Sequence, residues 1–211
     1  MPRVDRVEPS KHVKGRYLVF LDTGTLIKVG EQELLDFGLR PGLELEGEEL
    51  NRLLSSSQDT AAKARAAKMI GARPLSKQEL LDRLVSKGEG TSSAQKAADW
   101  LEDLGAVNDG EYARTIVRHY DRMGYGPQKL REELFRRKIP KDCWDEAMQE
   151  ARPQREVVAE FLASKFRYRE VTDKELQRQT NALRRRGFSW DAIREEIQGY
   201  AAQTEKWDET F

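Results

Sequence analysis

The feature that most constrains this chain is an internal repeat. "LLDRLVSKG" (80–88), "LREELFRRK" (130–138) and "QTNALRRRG" (179–187) align with Leu84, Leu134 and Leu183 in register and end at Gly88, Lys138 and Gly187, a period of roughly 50 residues. The third alignment is the weakest, with Gln179 where Leu80 and Leu130 stand. Each segment has helical apolar periodicity, and a helix so short holds only when its apolar face is covered. A chain that repeats such a helix must also repeat the neighbours that cover it.

Those neighbours are visible in the sequence. After a short polar or Pro-containing turn, each repeat helix is followed by a second one with a bulky stripe: Ala97, Trp100, Leu101 and Leu104; then Cys143, Trp144, Ala147 and Met148; then Trp190, Ile193, Ile197 and Tyr200. Each is preceded by a helix as well, over 60–70, 109–123 and 153–166. The helix starts carry a capping-box spacing, in which a hydroxyl or amide oxygen accepts the third amide and an acid or amide reaches back. It occurs at Ser76 to Glu79, Ser92 to Gln95, Asn108 to Glu111 and Thr172 to Glu175. Pro127 suits a first helical position, and Pro140 and Pro153 each begin a further helix.

The first 45 or so residues differ. "RVDRVE" and "GRYLVFLDTGTLIKV" hold β-branched and aromatic runs, with Asp22, Thr23 and Gly24 as turn residues, which predicts a β-hairpin beside a third strand. A short helix over 31–37 should stop at Gly38, before the turn Arg40-Pro41-Gly42. Tyr17, Val19, Phe20 and Leu21 are expected to form a small core rather than a base-stacking platform. The predicted fold is mainly α: three tandem three-helix repeats forming an elongated curved array, with a small N-terminal β-containing head. The expected boundaries are a head at 1–45, a linker or connecting helix at 46–58, repeats at 59–107, 108–151 and 152–203, and a tail at 204–211. Acidic "ELEGEE" (44–49) reads as a solvated linker and "EKWDETF" (205–211) as a frayed end, with Trp207 and Phe211 as an alternative docking element.

Composition narrows function. Lys plus Arg and Asp plus Glu are both 37, so no global field draws the molecule to nucleic acid, and any basic surface is local. A single cysteine, Cys143, excludes a disulfide framework and a cysteine zinc site and fits a reducing cytosol. The longest apolar run, Tyr17 to Leu21, is far short of the roughly 20 residues of a membrane helix. His12 and His119 have no metal-ligand spacing, Cys143 belongs to an apolar stripe, and "KGEG" (87–90) lacks both the preceding strand and the Lys-Ser/Thr of a phosphate loop. A soluble cytoplasmic monomer with no cofactor, no metal and no enzymatic activity is expected.

The run "DWLEDLGAVNDGEYARTIVRHYDRMGYGPQKLREELFRRKI", with the earlier "RPLSKQELLDRLVSKG", resembles the RecX family of bacterial regulators of the recombinase RecA. The motifs that carry the resemblance are "LGAVND", "EYAR" and "GYGPQKLREEL", clearest over about residues 60–150. The resemblance implies a non-enzymatic protein that binds the groove of the RecA filament on single-stranded DNA and restrains ATP hydrolysis and strand exchange.

Three sets of cations are the candidate partner-binding residues. On the helix over 109–123, Arg114, Arg118 and Arg122 recur at four-residue spacing, about half a turn away from the stripe Tyr112, Ile116 and Tyr120. They are either a binding face or a solvated face neutralised by Glu111 to Arg114 and Asp121 to Arg118 pairs. Lys129, Arg131, Arg136, Arg137 and Lys138 line the second repeat helix, and Arg184, Arg185 and Arg186 stand at the equivalent end of the third, as Lys87 does in the first. Cations there either line one edge or simply complement a helix C-terminus. The competing readings are a sequence-tolerant protein that binds single- or double-stranded DNA through helix-turn-helix-like units, and a helical scaffold for an unrelated protein.

Overall fold

A computed structural model describes the backbone of residues 1–167 and 171–208, with side chains through residue 200. The described residues fall into two compact units, Met1–Val107 and Asn108–Phe211.

The first unit opens with an antiparallel sheet in the order β1 (Val4–Pro9), β2 (Arg16–Leu21), β3 (Leu26–Gly30). The hairpin between β2 and β3 closes through Gly24, whose φ of 81° suits a residue without Cβ. Helix α1 (Glu31–Asp36) follows and ends at Gly38, also left-handed at 55°. Alternation on the strands turns Val4, Val19, Leu21, Ile27 and Val29 inward, where Leu39, Leu45 and Leu53 complete a core. Tyr17 is packed against that core, and the Arg6 guanidinium stacks 3.9 Å from the Phe20 ring.

Helix α2 (Gly47–Ala72) is a single 26-residue helix. The stretch expected as linker or connecting helix is its first half. Leu53 is buried in the head core, while Ala62 and Ala66 are buried in the next one. Buried Glu33 fastens the join. Its carboxylate accepts from the Gly30 amide at 2.6 Å, from Ser56 Oγ at 3.3 Å and from Thr60 Oγ1. Helices α3 (Lys77–Ser86) and α4 (Thr91–Asp103) complete a three-helix packing with the second half of α2, with alanines 62, 66, 94, 97 and 98 allowing close approach.

The second unit contains α5 (Asp109–Arg122), α6 (Pro127–Arg136), a 3-10 turn (Lys141–Cys143) leading into α7 (Trp144–Met148), then α8 (Gln154–Phe166), α9 (Asp173–Arg185) and α10 (Trp190–Asp208). Two cores form. Ala113, Ile116, Val117, Leu130, Leu134 and Ile139 anchor one; Val158, Leu162, Leu183 and Ile193 anchor the other.

The repeat seen in the sequence is a repeat of helix endings. At α3, α6 and α9 the residues Gly88, Lys138 and Gly187 take φ of 89°, 56° and 86°. The next amide then bonds back to the carbonyl of Leu84, Leu134 or Leu183 at 3.1 to 3.3 Å. This is the Schellman closure, and it explains why the leucines align. Lys138 adopts this conformation without being glycine, at a cost of roughly 1 kcal/mol.

Several expectations are corrected. Ser92 is not a cap: α4 starts two residues earlier than a Ser92 cap would place it, with Gly90 as the N-cap, and Ser93 reaches Asp59 instead. Ser76, Asn108 and Thr172 do cap their helices. Leu104 and Trp190 are exposed rather than in core stripes, because each lies at or beyond the end of its helix's buried arc. Leu45, within the expected acidic linker, is buried. Of the tail, α10 runs through Asp208, while Phe211 and the Trp207 side chain lie outside the described residues.

Candidate partner-binding surface

Helix α5 is placed by its Asn108 cap, which accepts from the Glu111 amide at 2.9 Å, and by burial of Ala113, Ile116 and Val117. The arginines lie off that face, but they are not a bare cationic ridge. Arg114 bonds Glu111 and, across to α7, Glu146, both at 2.5 Å. Arg118 reaches Glu150 at 3.5 Å and Glu111 at 3.9 Å. Only Arg122 is left with a backbone partner, its Nε donating to the Arg118 carbonyl at 3.3 Å. The hydrogen bond to Glu111 raises the Arg114 pKa, aided by the nearby carboxylates and opposed by its desolvation. The face is therefore an alternating-charge lattice between α5 and α7.

The expected Asp121 to Arg118 pair does not form. Asp121 is buried, and its carboxylate accepts from Arg152 Nε at 2.8 Å and from the Arg152 amide at 3.2 Å; Arg152 also reaches Glu160 at 2.8 Å. Arginine rather than lysine suits this site, because one guanidinium spans two carboxylates and the Asp121 carbonyl.

On α6 the cations have different fates. Lys129 pairs with Glu132 at 3.0 Å and Arg136 with Glu133 at 2.5 Å. Arg137 is drawn inward, donating to the Tyr112 hydroxyl at 2.6 Å. Lys138 occupies the left-handed closing position. Arg131 is exposed on the outer face. Phe135 beside it is also exposed, at 71 %.

On α9, Arg184 and Arg185 are exposed, but Arg186 is not available in the same way. Its Nη1 donates to the carbonyls of Met123 and Gly124 at 3.1 and 3.0 Å, and its guanidinium lies over the Tyr125 and Phe161 rings. It clamps the second three-helix unit to the third.

That clamp is continued by backbone. The Gly126 amide donates to the Arg186 carbonyl at 2.8 Å and the Gln128 amide to the Gly187 carbonyl at 3.1 Å. The orphan donors at the start of α6 thus satisfy the orphan acceptors at the end of α9. A Cβ on Gly126 would stand 2.4 Å from the Gly187 oxygen, and one on Gly187 2.5 Å from the Lys129 nitrogen. "YGPQKL" is therefore a docking element between repeats, which sequence reasoning missed. The signal was the pairing of Gly126 with Gly187, two glycines in different repeats.

Family models for RecX match in two places: the second three-helix domain over residues 108–148 and the third over 154–197. The protein named regulatory protein RecX from Lactobacillus delbrueckii subsp. bulgaricus is 30% identical over 149 residues, covering 70% of this chain and 55% of that protein. The chain thus spans little more than half the length of that relative. Regulatory protein RecX from Lactobacillus gasseri is 27% identical over 197 residues, covering 89% of this chain and 71% of its own. A crystal structure of regulatory protein RecX superposes with a TM-score of 0.71 at 23% identity, covering 94% of this chain and 100% of that one, a likeness of fold.

Proposed function

This chain belongs to the RecX family, and from that premise we propose that it is a non-enzymatic modulator of RecA. It binds in the groove of the RecA filament on single-stranded DNA and restrains ATP hydrolysis and strand exchange. The observation that carries the reading is the match of the second and third three-helix units to the two family domains, in proteins named as regulatory. The exposed cations Arg122, Arg131, Arg184 and Arg185 supply polar contacts to the filament. The paired residues Arg114, Arg118, Lys129 and Arg136 offer cation-carboxylate pairs that can exchange partners with an acidic and basic protein surface.

Restraint follows from holding neighbouring subunits in one relation, since a ligand that prefers one filament state shifts the population toward it. The test is co-sedimentation with RecA filaments assembled on single-stranded DNA with a non-hydrolysable ATP analogue. Saturable binding to filaments, weakened by Arg122→Ala with Arg131→Ala, is expected. Equal recovery with and without RecA would overturn the reading.

A further inference from the structure

The first unit carries a groove that the filament reading does not use. Arg65, Lys68, Met69 and Ala72 recur at steps of three, one and three in the second half of α2, which places them on one helical face. Arg83 and Lys87, one turn apart at the end of α3, form with them and with Arg73 a groove of about 520 Å³. Its apolar lining is Met69, which packs against the core of α2, α3 and α4, and the exposed Ala72.

The charge of this groove is one-sided, for five cations line it and no carboxylate does. Two acids hold three of the cations from outside the lining: Glu89 pairs with Arg65 at 2.9 Å, and Glu79 with Arg73 at 2.5 Å and with Arg83 at 3.0 Å. These pairs fix the guanidiniums without saturating them. Arg65 engages Nε with Glu89 and Nη1 with the Lys87 carbonyl, and Arg83 engages Nε and Nη2 with Glu79, which leaves Arg65 Nη2 and Arg83 Nη1 for a ligand. Side chains already held lose less entropy when a ligand binds. Lys68 and Lys87 are exposed and have no carboxylate partner among the described residues.

The fate of Lys87 sets the first repeat apart. In the aligned helices it corresponds to Arg137 and Arg186. Arg137 is drawn onto the Tyr112 hydroxyl, and Arg186 onto the Met123 and Gly124 carbonyls, so both serve the fold. Lys87 stays at the surface, in the same groove as Lys68.

We propose that this groove docks an acidic peptide segment of a partner protein: an aliphatic side chain lies on Met69 and Ala72, and flanking carboxylates pair with Lys68, Lys87 and the open guanidinium edges of Arg65 and Arg83. The guanidinium fork matches a carboxylate, and the pliable thioether of methionine accommodates aliphatic groups of varied shape. Phosphates would satisfy the same cations, but no aromatic ring is among the residues lining the groove, so a base has nothing to stack on and the apolar lining would stay uncovered. None of these residues belongs to the surface assigned to the filament, and the site stands independently of that reading.

The experiment uses the full chain and two fluorescein-labelled peptides of equal charge, one with a leucine between pairs of glutamates and one with glycine in its place, with unlabelled oligo(dT) as competitor. The leucine peptide is expected to bind at least about fivefold more tightly, as a leucine side chain leaving water should. Lys68→Gln with Lys87→Gln should weaken it at least about threefold and flatten the salt dependence of its affinity. Ala72→Glu puts a carboxylate on the lining and should abolish binding. All three positions are exposed, so circular dichroism should be unchanged. Equal affinity for the two peptides, wild-type affinity in either variant, or no saturable binding would overturn the proposal. Oligo(dT) that displaces the leucine peptide from the wild type but does not bind the lysine variant would assign the groove to nucleic acid and overturn it as well.

Discussion

Replacing Gly126 with alanine isolates the docking of α6 on α9. Gly126 has φ −85° and ψ 170°, a conformation alanine adopts freely, so no backbone strain enters. The added methyl meets the Gly187 oxygen at 2.4 Å, the Gly187 carbon at 2.5 Å and the Phe188 nitrogen at 2.6 Å, all backbone atoms that cannot rotate away. Overpacking of this kind costs about 1 to 3 kcal/mol. Relief requires α6 to withdraw, which breaks the Gly126 and Gln128 hydrogen bonds at about 1 kcal/mol each. A loss of roughly 3 to 5 kcal/mol in the second unit is expected, read by urea unfolding followed by circular dichroism. Gly71→Ala is the control, since Gly71 is an exposed position inside α2 where an added methyl would meet nothing within 4 Å. It should gain about 0.5 to 1 kcal/mol from helix propensity. A Gly126→Ala change below about 0.5 kcal/mol would refute the reasoning, because the two repeats would then not be docked through this glycine.

Other outcomes follow from the ion pairs and caps. Arg152→Met strands the buried Asp121 carboxylate, and a loss of about 2 to 3 kcal/mol is expected, below the 3 to 5 of a fully buried pair because Arg152 is 38% exposed; thermal unfolding measures it. Burial pushes the Asp59 and Glu79 carboxyls up, but hydrogen bonds and charge from Lys96 and Ser93, and from Arg73 and Arg83, outweigh it and hold both below their ordinary values. Depressed carboxyls stabilise above their unfolded pKa and lose that contribution as pH falls through the folded value, so the first unit should weaken below about pH 4. Lys96→Met should flatten that acid slope. Lys77 is raised, chiefly by the hydrogen bonds it donates to Asp99 and Glu102, so its contribution is complete below the ordinary lysine value and fades above about pH 10. Ser76→Ala removes a buried cap to the Glu79 amide and should cost about 1 kcal/mol, checked by urea unfolding.

Local chemistry made much of the fold legible. Ser76, Asn108 and Thr172 declared helix starts, and Gly88, Lys138 and Gly187 declared helix ends, because caps and closures depend on the residue and its near neighbours. Ser92 misled for the same reason: a spacing can be satisfied in sequence while the helix has already begun at Thr91. The surface was less legible. Periodicity located Arg114 and Arg118 off the core face, but their partners Glu146 and Glu150 come from α7 and the turn after it, which no helical spacing connects to α5. Arg186 looked like one member of a basic triplet, yet its charge serves the carbonyls of Met123 and Gly124 in the previous repeat. Trp190 was counted with a core stripe because it lies three residues before Ile193, whereas as the first residue of α10 it escapes burial.

The central claim is that this chain restrains RecA through the filament. The most direct measurement is the rate of ATP hydrolysis by RecA on saturating single-stranded DNA as the chain is titrated. Inhibition at fewer chains than RecA subunits, weakened by Arg122→Ala with Arg131→Ala, is the predicted result. An unchanged rate at excess chain would contradict the account.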